Sequence, residues 1–202
     1  MLAVIDYGGG NLGSLLAALR RRNATFTITD DPGALAQAGA AVLPGDGAFA
    51  ATMQALGERG LDRAILAHVH AGKPFLGICV GMQVLFEQSD EFGAAAGLGL
   101  LQGRVSRFVS APRIPHMGWN NLEICASHRF VEGLGSQPYA YFLHSYRALV
   151  GPDTVAACTH GERFSAIVAR DNVVGTQFHP EKSQRTGAQL LDNFLRLSGE
   201  GS

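Results

Sequence analysis

The stretch Phe75-Leu76-Gly77-Ile78-Cys79-Val80-Gly81-Met82-Gln83 is an apolar run that ends in a cysteine between two glycines. It has the pattern Gly-x-nucleophile-x-Gly, in which a nucleophile lies on a tight turn from a strand into a helix. Glycine two residues to either side removes side chains that would collide at such a turn. We therefore expect a buried strand over 74–78, a strained turn at Cys79 and a helix from Met82 to Glu87.

The sequence before this stretch alternates between strand and helix patterns. Strands are predicted near 2–6, 24–29, 40–43 and 74–78, and one helix face is predicted from the spacing of Leu12, Leu15, Leu16 and Leu19. Beyond residue 103 the pattern changes to short strands, at 104–109, 139–143, 155–159, 165–169 and 173–178. A closing helix directs four apolar side chains inward: Leu190, Leu191, Phe194 and Leu195.

The alternation of strands and helices, followed by the short strands, predicts an α/β fold with a mainly parallel central sheet, flanking helices and an antiparallel extension. The 202 residues contain no long linker, so we expect one domain spanning residues 1–202.

Composition excludes several functional classes. The formal net charge is −1, so no basic surface for nucleic acid or an anionic membrane is expected. Neither a signal-type segment nor an apolar stretch of 18 residues is present, which favours a soluble, cytoplasmic protein. Charged residues make up 16% of the chain, below the roughly 25% of typical domains, which indicates that a partner covers part of the surface.

The three cysteines, Cys79, Cys125 and Cys158, are odd in number and far apart, which suits neither a disulfide framework nor a zinc site. We interpret Cys125 and Cys158 as structural thiols. No metal and no cofactor are expected. Four histidines lack the spacing of metal ligands: His116, His128, His144 and His160.

A partner base for Cys79 is predicted in Gln177-Phe178-His179-Pro180-Glu181, directly after an apolar strand. Imidazole can take the thiol proton and return it to a leaving amine, and a nearby carboxylate can orient the ring. Pro180 restricts the backbone between them. The alternatives are a structural histidine at His179 and a small buried hydrophobe at Cys79.

Two glycine-rich turns have further possible roles. Gly45 and Gly47 follow the strand at 40–43 and would let a backbone N–H approach a substrate carbonyl, although an ordinary Pro-Gly turn fits that segment alone. Gly8, Gly10 and Gly13 match the bare spacing of a dinucleotide fingerprint, but no ribose-binding acid is evident near position 26, which disfavours a nucleotide site.

Taken together, three motifs resemble the class I, triad-type glutamine amidotransferases, which hydrolyse glutamine to glutamate and ammonia: Pro44–Phe49, Gly77–Gln83 and Phe178–Ser183. Three further segments resemble, more closely, the family of glutaminase subunits of imidazole glycerol phosphate synthases: Asp6–Asn11, Arg113–Asn120 and Tyr141–Tyr146. The resemblance runs along the whole chain.

The resemblance implies roles for matching residues. It makes Cys79 the nucleophile, His179 the general acid and base, and Glu181 the carboxylate that orients His179. Backbone N–H groups of Val80 and of the Gly45–Gly47 loop would form the oxyanion hole. The amino-acid end of glutamine would be held by Gln83, Ser145 and Tyr146, whose plainer interpretations are a helix-surface amide and a strand-end turn.

The resemblance also implies a partner, a (β/α)8 cyclase subunit that forms a heterodimer with the glutaminase in histidine biosynthesis. The ammonia passes directly to the cyclase, because ammonia released into water would be protonated and lost as a nucleophile. The cyclase uses it to make imidazole glycerol phosphate and aminoimidazole carboxamide ribotide. We expect the partner to contact Asn11, Met117, Trp119 and Tyr141, since large amphipathic side chains anchor interfaces. The alternative for Trp119 is a core position.

One residue departs from the family pattern, in which position 46 is commonly apolar. Asp46 beside an oxyanion would oppose its charge, so we expect the carboxylate to point outward.

Two functional alternatives stay open: a glutaminase subunit serving another acceptor, such as that of pyridoxal phosphate synthase, and a redox or binding protein without turnover.

Overall fold

The computed structural model describes residues 1–10 and 12–199. Its strands are β1 Leu2–Ile5, β2 Phe26–Thr29, β3 Ala40–Leu43, β4 Phe75–Ile78, β5 Phe86–Ser89, β6 Ala95–Ala96, β7 Leu101–Arg107, β8 His116–Asn121, β9 Glu123–Ile124, β10 Tyr139–His144, β11 Tyr146–Ala148, β12 Thr154–His160, β13 Glu162–Arg170 and β14 Val173–Thr176. Its helices are α1 Gly13–Arg20, α2 Pro32–Gln37, α3 Phe49–Glu58, α4 Leu61–His70, α5 Val80–Gln83 and α6 Gln184–Leu197. Short 3-10 turns lie at Arg129–Val131 and Pro180–Lys182.

Within these described residues, the central sheet has eight strands in the order β2-β1-β3-β4-β14-β13-β12-β9. The strands from β2 to β14 run parallel, while β13, β12 and β9 add antiparallel strands at one end. The predicted parallel sheet with an antiparallel extension is therefore confirmed. Two smaller sheets, β10-β8 and β11-β7-β5-β6, carry the segments between the central strands.

The core follows the predicted apolar pattern. All residues of β1, β3, β4 and β14 are buried, as expected for parallel strands that are hydrophobic on both faces. Helix α1 buries Leu15, Leu16 and Leu19, and α6 buries the four predicted residues, Leu190, Leu191, Phe194 and Leu195. Amphipathic helices with one apolar stripe thus pack where the sequence indicated. No helix of residues 1–10 and 12–199 is long and apolar enough to cross a membrane.

The predicted helix from Met82 to Glu87 is wrong in its bounds. Helix α5 ends at Gln83, and the chain enters β5 at Phe86, which pairs in parallel with β7. The reason is burial: Val84, Leu85 and Phe86 are all enclosed, so no polar face is available for a surface helix.

The short helix α2 lies between β2 and β3, where the apolar pattern predicts no element. The Asp31 carboxylate accepts hydrogen bonds from the N–H groups of Gly33 and Ala34, and Pro32 occupies the first helical position. This capping pattern was readable in the sequence.

The sheet order brings the predicted site together. Strands β3, β4 and β14 are parallel neighbours, so their carboxyl ends meet at one edge of the sheet. Leu43 ends β3, Ile78 ends β4 and Thr176 ends β14. The segments that follow, with Gly45, Cys79 and His179, therefore start from the same edge, where ligands of such sheets bind.

Candidate active site

Cys79 occupies the turn between β4 and α5 in a strained backbone conformation. Its φ of 56° and ψ of −112° lie outside the regions that L residues favour. A Cβ atom added at Gly77 would overlap the Gly81 carbonyl oxygen, and one at Gly81 would overlap the Leu43 carbonyl oxygen. The expectation of a strained turn that requires both glycines is confirmed.

His179 and Glu181 form a buried pair beside this turn. Nδ1 of His179 lies 2.9 Å from Oε1 of Glu181, in a 3-10 turn that begins at Pro180. The His179 N–H donates to the Tyr141 carbonyl over 3.3 Å. Both the backbone of His179 and the Nδ1 atom of its ring are thereby held in place.

The charge state of His179 suits a partner of a thiolate. Burial alone would lower its pKa, but hydrogen bonds to Cys79 and Glu181, together with their charges, outweigh burial and raise the pKa to about 10. A protonated imidazole holds the proton that a leaving amine needs. Since α5 is a single turn, His179 is a stronger source of positive potential at the sulfur than the helix end.

A cavity of about 480 Å³ opens at Cys79. Seven of the predicted site residues line it: Gly47, Cys79, Val80, Gln83, Ser145, Tyr146 and His179. The structure thus brings together residues from four separated parts of the chain. The substrate-binding roles of Gly45, Gly47, Val80, Gln83, Ser145 and Tyr146 stay predictions.

Gln83 is a buried amide, and its interpretation as a helix-surface residue is wrong. Its Nε2 donates to the Tyr146 carbonyl and to Oε1 of Gln177, each over 3.0 Å. Nε2 of Gln177 lies 3.9 Å from Sγ of Cys79. Gln177 had no predicted role, although its place two residues before His179 was a signal that could have found it.

Two charged residues at the cavity were also missed. Glu91 is buried, and its Oε2 accepts from the Phe49 N–H over 2.7 Å, while Arg107 is exposed at the rim. Together they offer opposite charges to the zwitterionic end of an amino acid. Neither belongs to a local motif, so the sequence alone does not separate them from ordinary surface charges.

The predicted oxyanion donor, the N–H of Val80, is already hydrogen-bonded in this conformation. Its N–H donates to the Gly45 carbonyl oxygen over 3.4 Å, so an oxygen of the loop faces the place where a substrate oxyanion would lie. Partial negative charge would repel that oxyanion, so the Gly45 carbonyl has to turn away before the Val80 N–H can act. The donor role of the Gly45–Gly47 loop stays a prediction.

Asp46 is exposed at the mouth of the cavity. Its Oδ1 lies 3.2 Å from where a Cβ atom of Gly10 would stand, so the carboxylate packs against the turn at Gly10.

The predicted partner residues lie on one side of the two-stranded β8–β10 ribbon. Met117 is 60% and Trp119 49% exposed, so the core alternative for Trp119 is wrong. The register places Trp119 opposite Tyr141 and Met117 opposite Leu143, with an edge-to-face contact of 6.0 Å between the Trp119 and Tyr141 rings. We call these four side chains the outer face of the ribbon. The predicted partner residue Asn11 lies outside the described residues.

The remaining cysteines differ from each other. Cys158 is buried, and burial raises its pKa to about 12, which keeps it a thiol. Cys125 is exposed and donates to the Glu123 carbonyl over 3.3 Å. No group of three metal-ligating side chains occurs in the described part of the chain.

Comparisons with known proteins identify the family of this chain. The family model described as "Glutamine amidotransferase class-I" matches residues 3–197. A relative named "Imidazole glycerol phosphate synthase subunit HisH" from Desulfitobacterium hafniense is 47% identical over 99% of this chain and 96% of its own. A relative of the same name from Salinibacter ruber is 45% identical over 98% of this chain and 94% of its own.

Solved structures share the fold at lower identity. One described as "Crystal structure of glutamine amidotransferase" has a TM-score of 0.77 at 21% identity, covering 98% of both chains. "Structure of PurLQS from Thermotoga maritima" has a TM-score of 0.71 at 19% identity, covering 96% of this chain and 97% of the other. Because the family model matches residues 3–197, almost the whole length of this chain, the chain belongs to the class I glutamine amidotransferases.

Proposed function

We propose that this protein is the glutaminase subunit of an imidazole glycerol phosphate synthase, with Cys79, His179 and Glu181 as its catalytic triad. The observation that carries the proposal is the buried His179–Glu181 pair beside the strained Cys79, in a chain 47% identical along its length to such a subunit. The whole chain acts as one glutaminase domain, in the cytoplasm.

The reaction begins when the Cys79 thiolate attacks the side-chain carboxamide carbon of glutamine. The carbonyl π electrons move to oxygen, and as the tetrahedral adduct collapses the C–N bond breaks while His179 gives its proton to the leaving ammonia. Water then attacks the thioester, His179 takes a proton from that water, and glutamate leaves with Cys79 restored. Glu181 keeps the imidazole oriented throughout.

Substrate is held by both ends. Gln83, Ser145 and Tyr146 surround the amino-acid end, and Glu91 with Arg107 supply charges opposite to its ammonium and carboxylate groups. Backbone N–H groups of Val80 and of the Gly45–Gly47 loop bind the oxyanion once the Gly45 carbonyl has turned away. The enzyme is therefore slow until a partner biases this loop, which is a two-state element of the kind that coupling requires.

The partner is the cyclase subunit, which receives the ammonia. The outer face of the β8–β10 ribbon suits this contact because it exposes Met117, Trp119 and Leu143, large apolar side chains that gain by burial. Leu143 also lines the cavity at Cys79, so the docking surface is continuous with the catalytic site.

The test is glutamate release from the purified protein alone, with the cyclase subunit, and with that subunit plus an unreactive analogue of its substrate. We expect little release alone and a large rise in the third condition, lost in Cys79→Ala. Equal release in all three would remove the cyclase assignment. No release in any would remove the glutaminase itself, and activation by the synthase subunit of pyridoxal phosphate synthase would favour that acceptor.

A further inference from the structure

Strand β8 has an inner face as well as the outer face that carries Met117 and Trp119. Alternate residues point the other way, and His116 and Asn120 on this inner face lie opposite His144 and Ala140 of β10. His116 and His144 are buried, and neither is used by the proposed reaction. His144 nevertheless lines the cavity at Cys79.

These side chains form a continuous series of hydrogen bonds. Nδ2 of Asn120 lies 3.2 Å from Nε2 of His116, and Nδ1 of His116 lies 3.0 Å from Nε2 of His144. Nδ1 of His144 lies 2.8 Å from the Tyr146 carbonyl oxygen. The series therefore runs from the inner face of the ribbon to the backbone of a predicted substrate-binding residue.

The direction of every bond is fixed from both ends. At the cavity end, the Tyr146 carbonyl can only accept, so His144 carries its proton on Nδ1 and accepts at Nε2. His116 must then donate from Nδ1 and accept at Nε2. At the other end, the Asn120 Nδ2 also donates to the Thr159 carbonyl over 3.0 Å, which orients its amide as a donor toward His116.

Packing and charge keep the series in this arrangement. The His116 ring stacks between Phe142, at 4.6 Å, and His160, at 4.1 Å, so it cannot turn over without displacing them. Burial lowers the pKa of His116 to about 4 and that of His144 to about 3, so both rings are neutral at pH 7. A neutral ring has one proton to place, and only one placement satisfies all the partners.

The Tyr146 carbonyl is also the acceptor for Nε2 of Gln83, which in turn contacts Gln177 beside Cys79. Whatever holds this carbonyl therefore holds the Gln83 amide. We propose that Asn120 and His116 are positioning residues for glutamine binding, acting through His144 on the Tyr146 carbonyl and the Gln83 side chain. The proposal rests on the proposed function for its substrate, and on the hydrogen-bond series alone for its structure.

The first test reads the protons directly. Long-range ¹H–¹⁵N correlation spectra of the full chain, labelled at histidine, distinguish the ring nitrogen that carries the proton. We expect His116 and His144 both to be protonated at Nδ1 and bare at Nε2 at pH 7. A proton on Nε2 of either ring would overturn the proposal, whether or not the protein hydrolyses glutamine.

The second test reverses one donor. Asn120→Asp removes the N–H that faces Nε2 of His116, so His116 gains a proton there and loses its single arrangement with His144. We expect the Kd for glutamine, measured by calorimetry in the Cys79→Ala background, to rise about tenfold. In the complex with active Cys79, KM should rise by a similar factor with kcat changed less than KM.

The matched control is Asn121→Asp, the same chemical change at the next residue, whose exposed side chain takes no part in the series. It should leave the Kd for glutamine and the histidine protonation unchanged. An equal effect of the two variants would overturn the proposal.

A third pair guards against misfolding of Asn120→Asp. His116→Asn keeps an N–H donor near the Nδ1 position and should retain most of the affinity for glutamine, whereas His116→Leu, of similar size, should not. Equal affinities would refute the positioning role. If the complex without substitutions released no glutamate, the proposed function would be refuted but the positioning role would not. The proton positions and the affinity for glutamine are measured without turnover.

Discussion

Cys79 is held in its unusual backbone conformation by groups from three neighbouring strands. Its N–H donates to the Thr176 carbonyl over 2.7 Å, Gly81 packs against the Leu43 carbonyl, and Gly77 packs against the Gly81 carbonyl. Such strain costs on the order of 1–3 kcal/mol and persists only when the surrounding structure determines it. The sheet, rather than the short helix α5, thus sets the position of Cys79, the proposed nucleophile.

The raised pKa of His179 predicts a pH-dependent stability. Below its ordinary pKa of 6.5, His179 is protonated in both the folded and the unfolded chain, and its contacts contribute their full stabilisation. As pH rises toward about 10, the unfolded chain loses this proton while the folded chain keeps it, so the contribution to stability declines.

Glu181→Gln removes one charge from this interaction. The difference in free energy of unfolding between the unmodified protein and Glu181→Gln should therefore be largest near pH 6.5 and shrink toward pH 10, as followed by urea unfolding. A difference that stays constant between those pH values would contradict the assignment of the pair.

Asp46 is the charged residue of the Gly45–Gly47 loop. Because its carboxylate is exposed and packs toward Gly10, we expect Asp46→Val to change kcat/KM for glutamine by less than about threefold in the cyclase complex. The measurement is steady-state glutamate release. A large gain in rate would indicate that the carboxylate opposes the oxyanion.

Helix α6 holds His179 and Glu181, the second half of the proposed triad, in place. The Ser183 hydroxyl donates to the His179 carbonyl over 2.7 Å and accepts from the Tyr141 N–H over 2.9 Å. One turn later, Gly187 packs so closely on Pro180 that an added Cβ would overlap its carbonyl oxygen. The helix therefore sets the position of the turn from His179 to Glu181.

Gly187→Ala should disturb this turn. We expect a loss of about 1–3 kcal/mol in the free energy of unfolding, together with a lower kcat, because the Pro180 backbone has to move. Denaturant unfolding and glutamate release in the complex measure the two effects.

The matched control is Gly57→Ala in α3, an exposed glycine whose added Cβ would meet nothing closer than 4.0 Å. That variant should be neutral or more stable by up to about 1 kcal/mol, since alanine favours a helix. Equal destabilisation by both substitutions would contradict the packing role of Gly187.

Periodicity predicted most elements but failed where an element is enclosed on all sides. The stripes of α1 and α6 face the core as expected, and β3 coincides with the predicted strand at 40–43. From Val80 to Phe86 every residue is buried, so no alternation distinguishes strand from helix there. The parallel pairing of β5 with β7, which places Phe86 opposite Leu101, made that segment a strand.

The outer face of the β8–β10 ribbon is an exposed apolar surface that suits the cyclase subunit. Trp119 is half exposed there and contacts Tyr141 edge to face. We expect Trp119→Ala to weaken the heterodimer by about 2 kcal/mol, or roughly thirtyfold in Kd, because tryptophan side chains buried at an interface are among those that contribute most to affinity. Titration calorimetry with the cyclase subunit measures this change.

Ile28→Ala serves as the control for this substitution. Ile28 is 44% exposed on β2, the edge strand at the other end of the parallel strands, and should not affect the affinity. If Ile28→Ala lowered the affinity and Trp119→Ala did not, the partner would bind at β2, which would contradict the proposed docking surface.

The sequence by itself determined the class of fold, most strands of the central sheet, and the Cys79, His179 and Glu181 that the proposed reaction uses. These are local properties: a glycine-flanked cysteine requires a tight turn, and His-Pro-Glu after an apolar strand forms a turn of its own. Apolar periodicity adds the face that each helix buries. Each is encoded within about ten residues.

Only the tertiary structure decided what those residues meet. The contact of Val80 with Gly45, the charges of Glu91 and Arg107 at the cavity, and the hydrogen bonds from Asn120 through His116 all join segments that no motif links. The physical reason is that hydrogen-bond partners and burial are set by which strands become neighbours. The sheet order creates these contacts, and a sequence pattern cannot list them in advance.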